Sequence, residues 1–194
     1  MKKMLLIIFT IVLILSINVL AVDIDIGSAA ENRATNSDPG TYVGKDNPAN
    51  LSGKITSIEI WFDSASGNAT GVEVATFFIV SGDNLSTRDT QTIGSVTAGS
   101  KQTFTVDLNV VAGDYIGIHY VGGEIERTNL GVGYWYVLTT DLIPCTNQAF
   151  TFLAARTISL YGTGTTEVGW PHKWNTITIG KWNTKEFTKW NGLE

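Results

Sequence analysis

The chain has 194 residues, with 13 Lys and Arg against 18 Asp and Glu, for a formal charge of −5. An acidic chain without a basic cluster is poorly suited to a phosphate backbone, which excludes nucleic acid as the expected partner. A single cysteine, Cys145, excludes an internal disulfide, so the fold must rest on its core.

At the N-terminus, Lys2 and Lys3 precede an apolar run from Met4 to Leu15, and Val19 and Ala21 suit a cleavage site after residue 21. This is the layout of a secretory signal over 1–21. The run to Leu20 approaches the roughly 20 residues that span a bilayer. Asn18 and the polar residues after Ala21 favour cleavage over an anchor, and no cysteine stands at the site for lipidation. The mature protein is therefore expected to be secreted, with no stable membrane insertion.

From Val22 to about residue 165 the apolar pattern has a period of two. Val22–Ile26 and Thr41–Gly44 are short strand candidates, and Ile58, Ile60 and Phe62 alternate with Ser57, Glu59 and Trp61. Val72, Val74, Phe78 and Val80 form an inward row, while Phe77 and Ile79 make that strand apolar on both faces. Thr90–Val96 follows, and then the cleanest alternation: Phe104, Val106, Leu108 and Val110 against Thr103, Thr105, Asp107 and Asn109. Tyr115–Val121, Val132–Leu138 and Ala149–Tyr161 complete the set, the last long enough for two strands or one bent strand. Gly, Asn, Asp and Ser clusters between them supply turns. About eight or nine short strands at this spacing, with no sustained helical period, predict one all-β domain over 22–165, an antiparallel β-sandwich.

The DIDIG opening (Asp23–Gly27), the NPAN loop (Asn47–Asn50), the ITSIEIWF run and the closing RTISLYGTG (Arg156–Gly164) resemble jelly-roll and lectin-like sandwiches of secreted bacterial and phage-type surface proteins. The resemblance implies first and last strands lying side by side, and a structural calcium near them. Asp23 and Asp25 share one strand face and could supply hard oxygen ligands.

The tail, 166–194, repeats Lys-Trp-Asn at Trp174, Trp182 and Trp190, a strict spacing of eight, with Trp170 four residues before the first. It resembles Trp-Asn segments near the ends of phage-type structural proteins. In a straight strand successive rings would lie roughly 26 Å apart, too far for one sugar platform. Small β-turn repeats that pack or self-associate suit the spacing better than ligand stacking, and an irregular tail remains open.

Trp61 and Trp135 fall on the parity opposite to the inward rows. Outward indoles could stack on a sugar ring while Glu59, Asp63 and His119 bond its hydroxyls; the alternative is that loops or the tail cover them. Asp63, Glu73, Asp83, Asp107, Asp114, Glu124, Glu126 and Asp141 provide carboxylates, but no catalytic motif organises them. Glu124 and Glu126, beside Gly122 and Gly123, are expected on a solvated hairpin. Neither His119 nor His172 has a second ligand at zinc spacing. The expectation is a secreted binding module that is not an enzyme and recognises a carbohydrate or cell surface. The alternative is a structural or assembly protein of a phage-type or cell-surface appendage.

Overall fold

The computed structural model describes residues 21–166. The expected signal sequence through residue 20 and the tail tryptophans Trp170, Trp174, Trp182 and Trp190 lie outside the described residues. In chain order the strands are β1 (Asp23–Gly27), β2 (Thr35–Ser37), β3 (Gly40–Gly44), β4 (Gly53–Trp61), β5 (Ala69–Ser81), β6 (Asn84–Val96) and β7 (Lys101–Val110). There follow β8 (Tyr115–Tyr120), β9 (Ile125–Thr128), β10 (Gly133–Leu138), β11 (Gln148–Ala149), β12 (Thr151–Ala154), β13 (Thr157–Ile158) and β14 (Leu160–Thr165). Among the described residues no helix is long and apolar enough to cross a membrane.

The domain is an antiparallel β-sandwich. One sheet has the order β1-β14-β4-β7, the other β11-β6-β5-β8-β3-β10-β12, and a small sheet β13-β9-β2 closes one end. β1 pairs with β14 from Asp23↔Thr165 to Gly27↔Tyr161, so the first and last strands do lie side by side. Ile24 and Ile26 on β1, Ile55, Ile58 and Ile60 on β4, and Val106, Leu108 and Val110 on β7 form the inner face of the four-stranded sheet. They meet Val72, Val74, Ile116, Ile118, Tyr42 and Tyr120 from the seven-stranded sheet. The alternation in the sequence builds this interface directly, because each strand's odd or even set is dry and its complement wet. On β14 the inward positions include Gly164, where a Cβ would overlap the Lys54 carbonyl, so glycine allows β4 and β14 to close at their bulge.

The seven-stranded sheet buries its other face as well. Val43, Ala75, Phe77, Leu85 and Trp135 make a second core with Ile143 and Phe150. The chain between β10 and β12 crosses this face and is pinned to the β5–β6 hairpin. Phe150 N donates to Asp83 O at 3.0 Å, Asn147 N to Ser86 Oγ at 2.7 Å, and Thr87 N to Cys145 O at 3.0 Å. Cys145 is half-buried, and burial pushes its thiol pKa up, which fits an inert thiol.

Three expectations change here. The inward row on β5 ends early: Phe78 is half-buried with the Arg88 guanidinium 4.9 Å above its ring, and Val80 is 47% exposed. The opposing strand β7 stops at Val110, level with Thr76, whose hydroxyl donates to Asn109 O at 2.7 Å, so the hairpin beyond has no sheet to pack on. The run Ala149–Tyr161 resolves into the end of β11, then β12, β13 and the start of β14, broken at Ala155, which takes φ 53°. Glu126 is not on a solvated hairpin. It sits on β9, is only 4% exposed, and its Oε2 accepts from Arg33 N at 2.9 Å.

The second core generates a prediction. Trp135→Ala should destabilise the domain by about 3–5 kcal/mol, the usual cost of emptying a buried aromatic site. Asp83→Ala should cost about 1–3 kcal/mol, because it leaves the buried indole N–H without its acceptor. Urea unfolding of the two variants checks both values.

Candidate functional site

Five residues were expected to make an aromatic platform with polar neighbours, and the structure separates them. Trp135 is fully buried, with its Nε1 donating to Asp83 Oδ1 at 2.8 Å. Tyr115 meets its ring edge-on at a centroid distance of 5.1 Å, and Lys45 Nζ lies 4.6 Å from the ring centroid. Its parity does differ from that of Tyr134 and Tyr136, but the face it points to is covered. Stacking on an external sugar is therefore closed to Trp135.

His119 is also buried, at 5% exposure, and pairs across β3 with Thr41. The Thr41 hydroxyl donates its proton to Thr140 O at 2.7 Å and accepts from Leu142 N at 3.1 Å. It therefore accepts from His119 Nδ1, 3.1 Å away, which fixes the proton on that nitrogen. His119 anchors the start of the covering segment instead of facing solvent. Asp63 caps the turn Ser64–Ser66, accepting from Ala65 N at 3.1 Å, Ser66 Oγ at 3.0 Å and Asn36 Nδ2 at 3.4 Å. All three bonds fall on Oδ2, and the two from Ala65 and Ser66 are those of an N-cap.

Trp61 and Glu59 remain together on the outer face of the four-stranded sheet. They are two residues apart on β4 and point the same way. Glu59 stands opposite Tyr161 on β14 and Thr103 on β7, and Trp61 opposite Lys101. Tyr161 and Trp61 are thus diagonal neighbours across Glu59, a separation of about 7–8 Å for such positions. Both rings are half-buried, and the surrounding Thr56, Thr103, Thr105 and Thr163 are exposed. Lys101 Nζ bonds both Glu59 oxygens, at 3.0 and 3.1 Å. With side-chain exposures of 46% and 29% this pair holds geometry more than it adds stability. The Trp61 indole N–H is turned inward and meets no acceptor among the described residues.

Towards β1 the same face opens into a shallow groove of about 460 Å³ lined by Asp23, Asp25, Thr56, Tyr161, Thr163 and Thr165. Burial, and then the charges of Asp25 and Glu59, hold the Tyr161 hydroxyl above the usual tyrosine range, so it stays a hydrogen-bond donor at any ordinary pH. Asp25 Oδ2 accepts from Asn47 Nδ2 at 3.1 Å. Asp23 and Asp25 do share a face as expected, but among the described residues no group of three His, Cys, Asp or Glu side chains gathers to hold a metal ion.

No protein-family model, curated protein or solved structure matches this chain. Its chemistry is accordingly read from its own residues. Tyr161 and Lys101 belong to the face and were not singled out in the sequence. The signal was present in Leu160, Gly162 and Gly164 alternating with Tyr161, Thr163 and Thr165. It was hidden because the preceding run reads as continuous strand up to Tyr161.

Both edges of this sheet are capped, the β1 edge by a side chain and a loop carbonyl and the β7 edge by side chains. On the β1 edge, Asn50 Oδ1 accepts from Asp25 N at 3.2 Å and Gly27 N donates to Asn47 O at 2.9 Å. On the β7 edge, Gln91 Oε1 accepts from Asp107 N and Asp89 Oδ2 from Asn109 N, at 2.9 and 2.8 Å. Capped edges block strand addition and leave the face as the accessible surface.

At the far end of β4, Glu126 carries a pH dependence. Burial raises its carboxyl pKa, against the opposing effect of the Arg33 N–H, so the folded state holds the proton more tightly than the unfolded chain. Stability should therefore rise as pH falls from its raised folded value through the ordinary glutamate range, and fall again on the way up. Glu126→Gln keeps an acceptor for Arg33 N and should flatten this slope, as thermal unfolding across the acidic range will show.

Proposed function

We propose that this chain is a secreted, non-catalytic binding module whose outer four-stranded face takes a carbohydrate or a glycosylated cell surface. The observation that carries the reading is the placement of Trp61 and Tyr161 as diagonal neighbours on the sheet face that no described segment crosses. An aromatic ring packs against the C–H face of a pyranose, and two rings at this separation support neighbouring parts of one glycan. Glu59, Lys101, Thr103 and Thr163 surround them with donors and acceptors for hydroxyls. A flat, polar, threonine-rich surface is suited to an extended saccharide more than to an enclosed small molecule.

The face lies on a sheet whose core would not be disturbed by outward substitutions, so binding and folding separate cleanly. Trp61→Ala and Tyr161→Ala should each weaken retention on an immobilised polysaccharide or glycan array by about tenfold, the order of 1–2 kcal/mol expected for a lost aromatic contact. Retention unchanged in both variants would remove the reading. If deleting Val168–Glu194 abolishes oligomers while neither wild type nor variant binds any glycan, the assembly alternative takes its place.

A further inference from the structure

The connection from β2 to β3 contains the one Asp-Pro pair of the sequence, Asp38–Pro39. Its peptide bond is a tertiary amide, whose nitrogen leaves as a secondary amine more readily than an ordinary peptide nitrogen. The Asp38 carbonyl in this bond faces two tyrosine hydroxyls. Tyr42 Oη donates to Asp38 O at 2.7 Å, and Tyr120 Oη lies 2.9 Å from Asp38 O and 2.9 Å from Ser37 O. Packing holds both rings in place. Tyr42 stacks on Tyr120 at a centroid distance of 5.9 Å, while Tyr134 meets Tyr42 and Phe62 meets Tyr120 edge-on, at 5.2 and 5.0 Å. Burial pushes both hydroxyls well above the usual tyrosine range, so they remain proton donors. The Asp38 side chain is exposed, and its carboxyl makes no hydrogen bond or ion pair among the described residues.

We infer that the chain cleaves its own Asp38–Pro39 bond, with the Asp38 carboxyl as nucleophile and the Tyr42 and Tyr120 hydroxyls as the oxyanion hole. One oxygen of the protonated Asp38 carboxyl attacks the Asp38 carbonyl carbon and closes a five-membered ring. The carbonyl oxygen takes the negative charge under the two tyrosine donors, and the carboxyl proton passes to Pro39 N. The C–N bond then breaks. This leaves a cyclic anhydride at Asp38 and a free secondary amine at Pro39. Water opens the anhydride to a C-terminal aspartate, and no oxidant or reductant is needed. Donors already aimed at the oxygen that gains charge, on rings that do not have to reorganise, are what lowers the barrier to acyl transfer. The nucleophile belongs to the same residue as the carbonyl, so no second reactant has to be brought in.

The titratable and charged groups facing Asp38 are Tyr42, Tyr120, Tyr134, Tyr136 and Arg127. A neutral tyrosine or a protonated arginine is no base at acid pH, so the proton that Pro39 N receives comes from Asp38 itself. The cut ends stay anchored. β2 remains paired with β9 from Thr35↔Arg127 to Ser37↔Ile125, and β3 remains between β8 and β10. The product is therefore one folded domain in two pieces that part only on unfolding. This reaction is separate from the Trp61 face and stands whether or not that face binds glycan.

The test incubates the full chain at about pH 4, where an aspartic acid begins to hold its proton, and reads fragment masses after denaturation. The folded chain should give one piece ending at Asp38 and one beginning with Pro39. It should do so at least about tenfold faster than the same chain in urea, where the two donors are absent. Tyr42→Phe and Tyr120→Phe should each slow the folded reaction by about tenfold or more, with melting temperatures showing that the variants are folded. Asp38→Glu, at an exposed position, keeps the carboxyl but has to close a larger ring, and should also slow cleavage by about tenfold or more. A folded chain that stays intact, cleavage as fast in urea as in the folded state, or rates unchanged in both tyrosine variants would overturn the inference. If a tyrosine variant fails to fold, Asp38→Glu decides: cleavage at the wild-type rate overturns the inference, and its loss supports it.

Discussion

A sheet that is apolar on both faces has to be covered twice, and this constraint organises the domain. The seven-stranded sheet presents Val72, Val74, Ile116 and Ile118 to one side and Val43, Ala75, Phe77 and Trp135 to the other. The four-stranded sheet covers the first side. The second is covered by a connection that brings Ile143 and Phe150 over Trp135, tied down through Asp83, Ser86 and Thr87. His119 and Thr41 hold the start of that connection. Every aromatic on this side is consequently a packing residue, and the outer face left to solvent belongs to the four-stranded sheet.

The same economy of cover explains the polar contacts inside the domain. Asp114 is 3% exposed, receives Arg88 through both guanidinium arms and accepts from Val111 N at 2.8 Å. A buried carboxylate is tolerable when its oxygens are bonded and its charge is met, and here both hold. The pair ties β6 to the turn between β7 and β8. That turn is bonded in turn to the NPAN loop through Ala49 N to Asp114 O and Gly113 N to Ala49 O, both at 2.8 Å. The loop then caps the β1 edge. A chain of local bonds thus runs from the covered sheet to the border of the open face, keeping β1 and β14 in register beside Tyr161.

The sequence was most legible where one face is wet and the other dry. β7 shows this, since Val106, Leu108 and Val110 are buried and Thr103, Thr105 and Asp107 exposed, as their alternation requires. The first strand, DIDIG, and the last, largely within RTISLYGTG, pair with each other across the whole length of the domain's sequence. Parity states which way a side chain points but not whether that side is covered. Trp135 and His119 point away from the main core and are buried by residues that approach from other parts of the chain. β2 and β9 were invisible because strands of three and four residues show no period, and Glu126 is buried by pairing partners distant in sequence. Of the platform residues, Trp61 and Glu59 stayed together because both lie on one strand, where parity alone settles the geometry.

The asymmetry between one covered and one open sheet is most directly tested by hydroxyl-radical footprinting of the intact folded chain, read residue by residue by mass spectrometry. Trp61 and Tyr161 should be oxidised readily while Trp135, at 0% exposure, stays unmodified until the domain unfolds. Oxidation of Trp135 at a rate comparable to Trp61 under native conditions would contradict the second core and the division of the two faces.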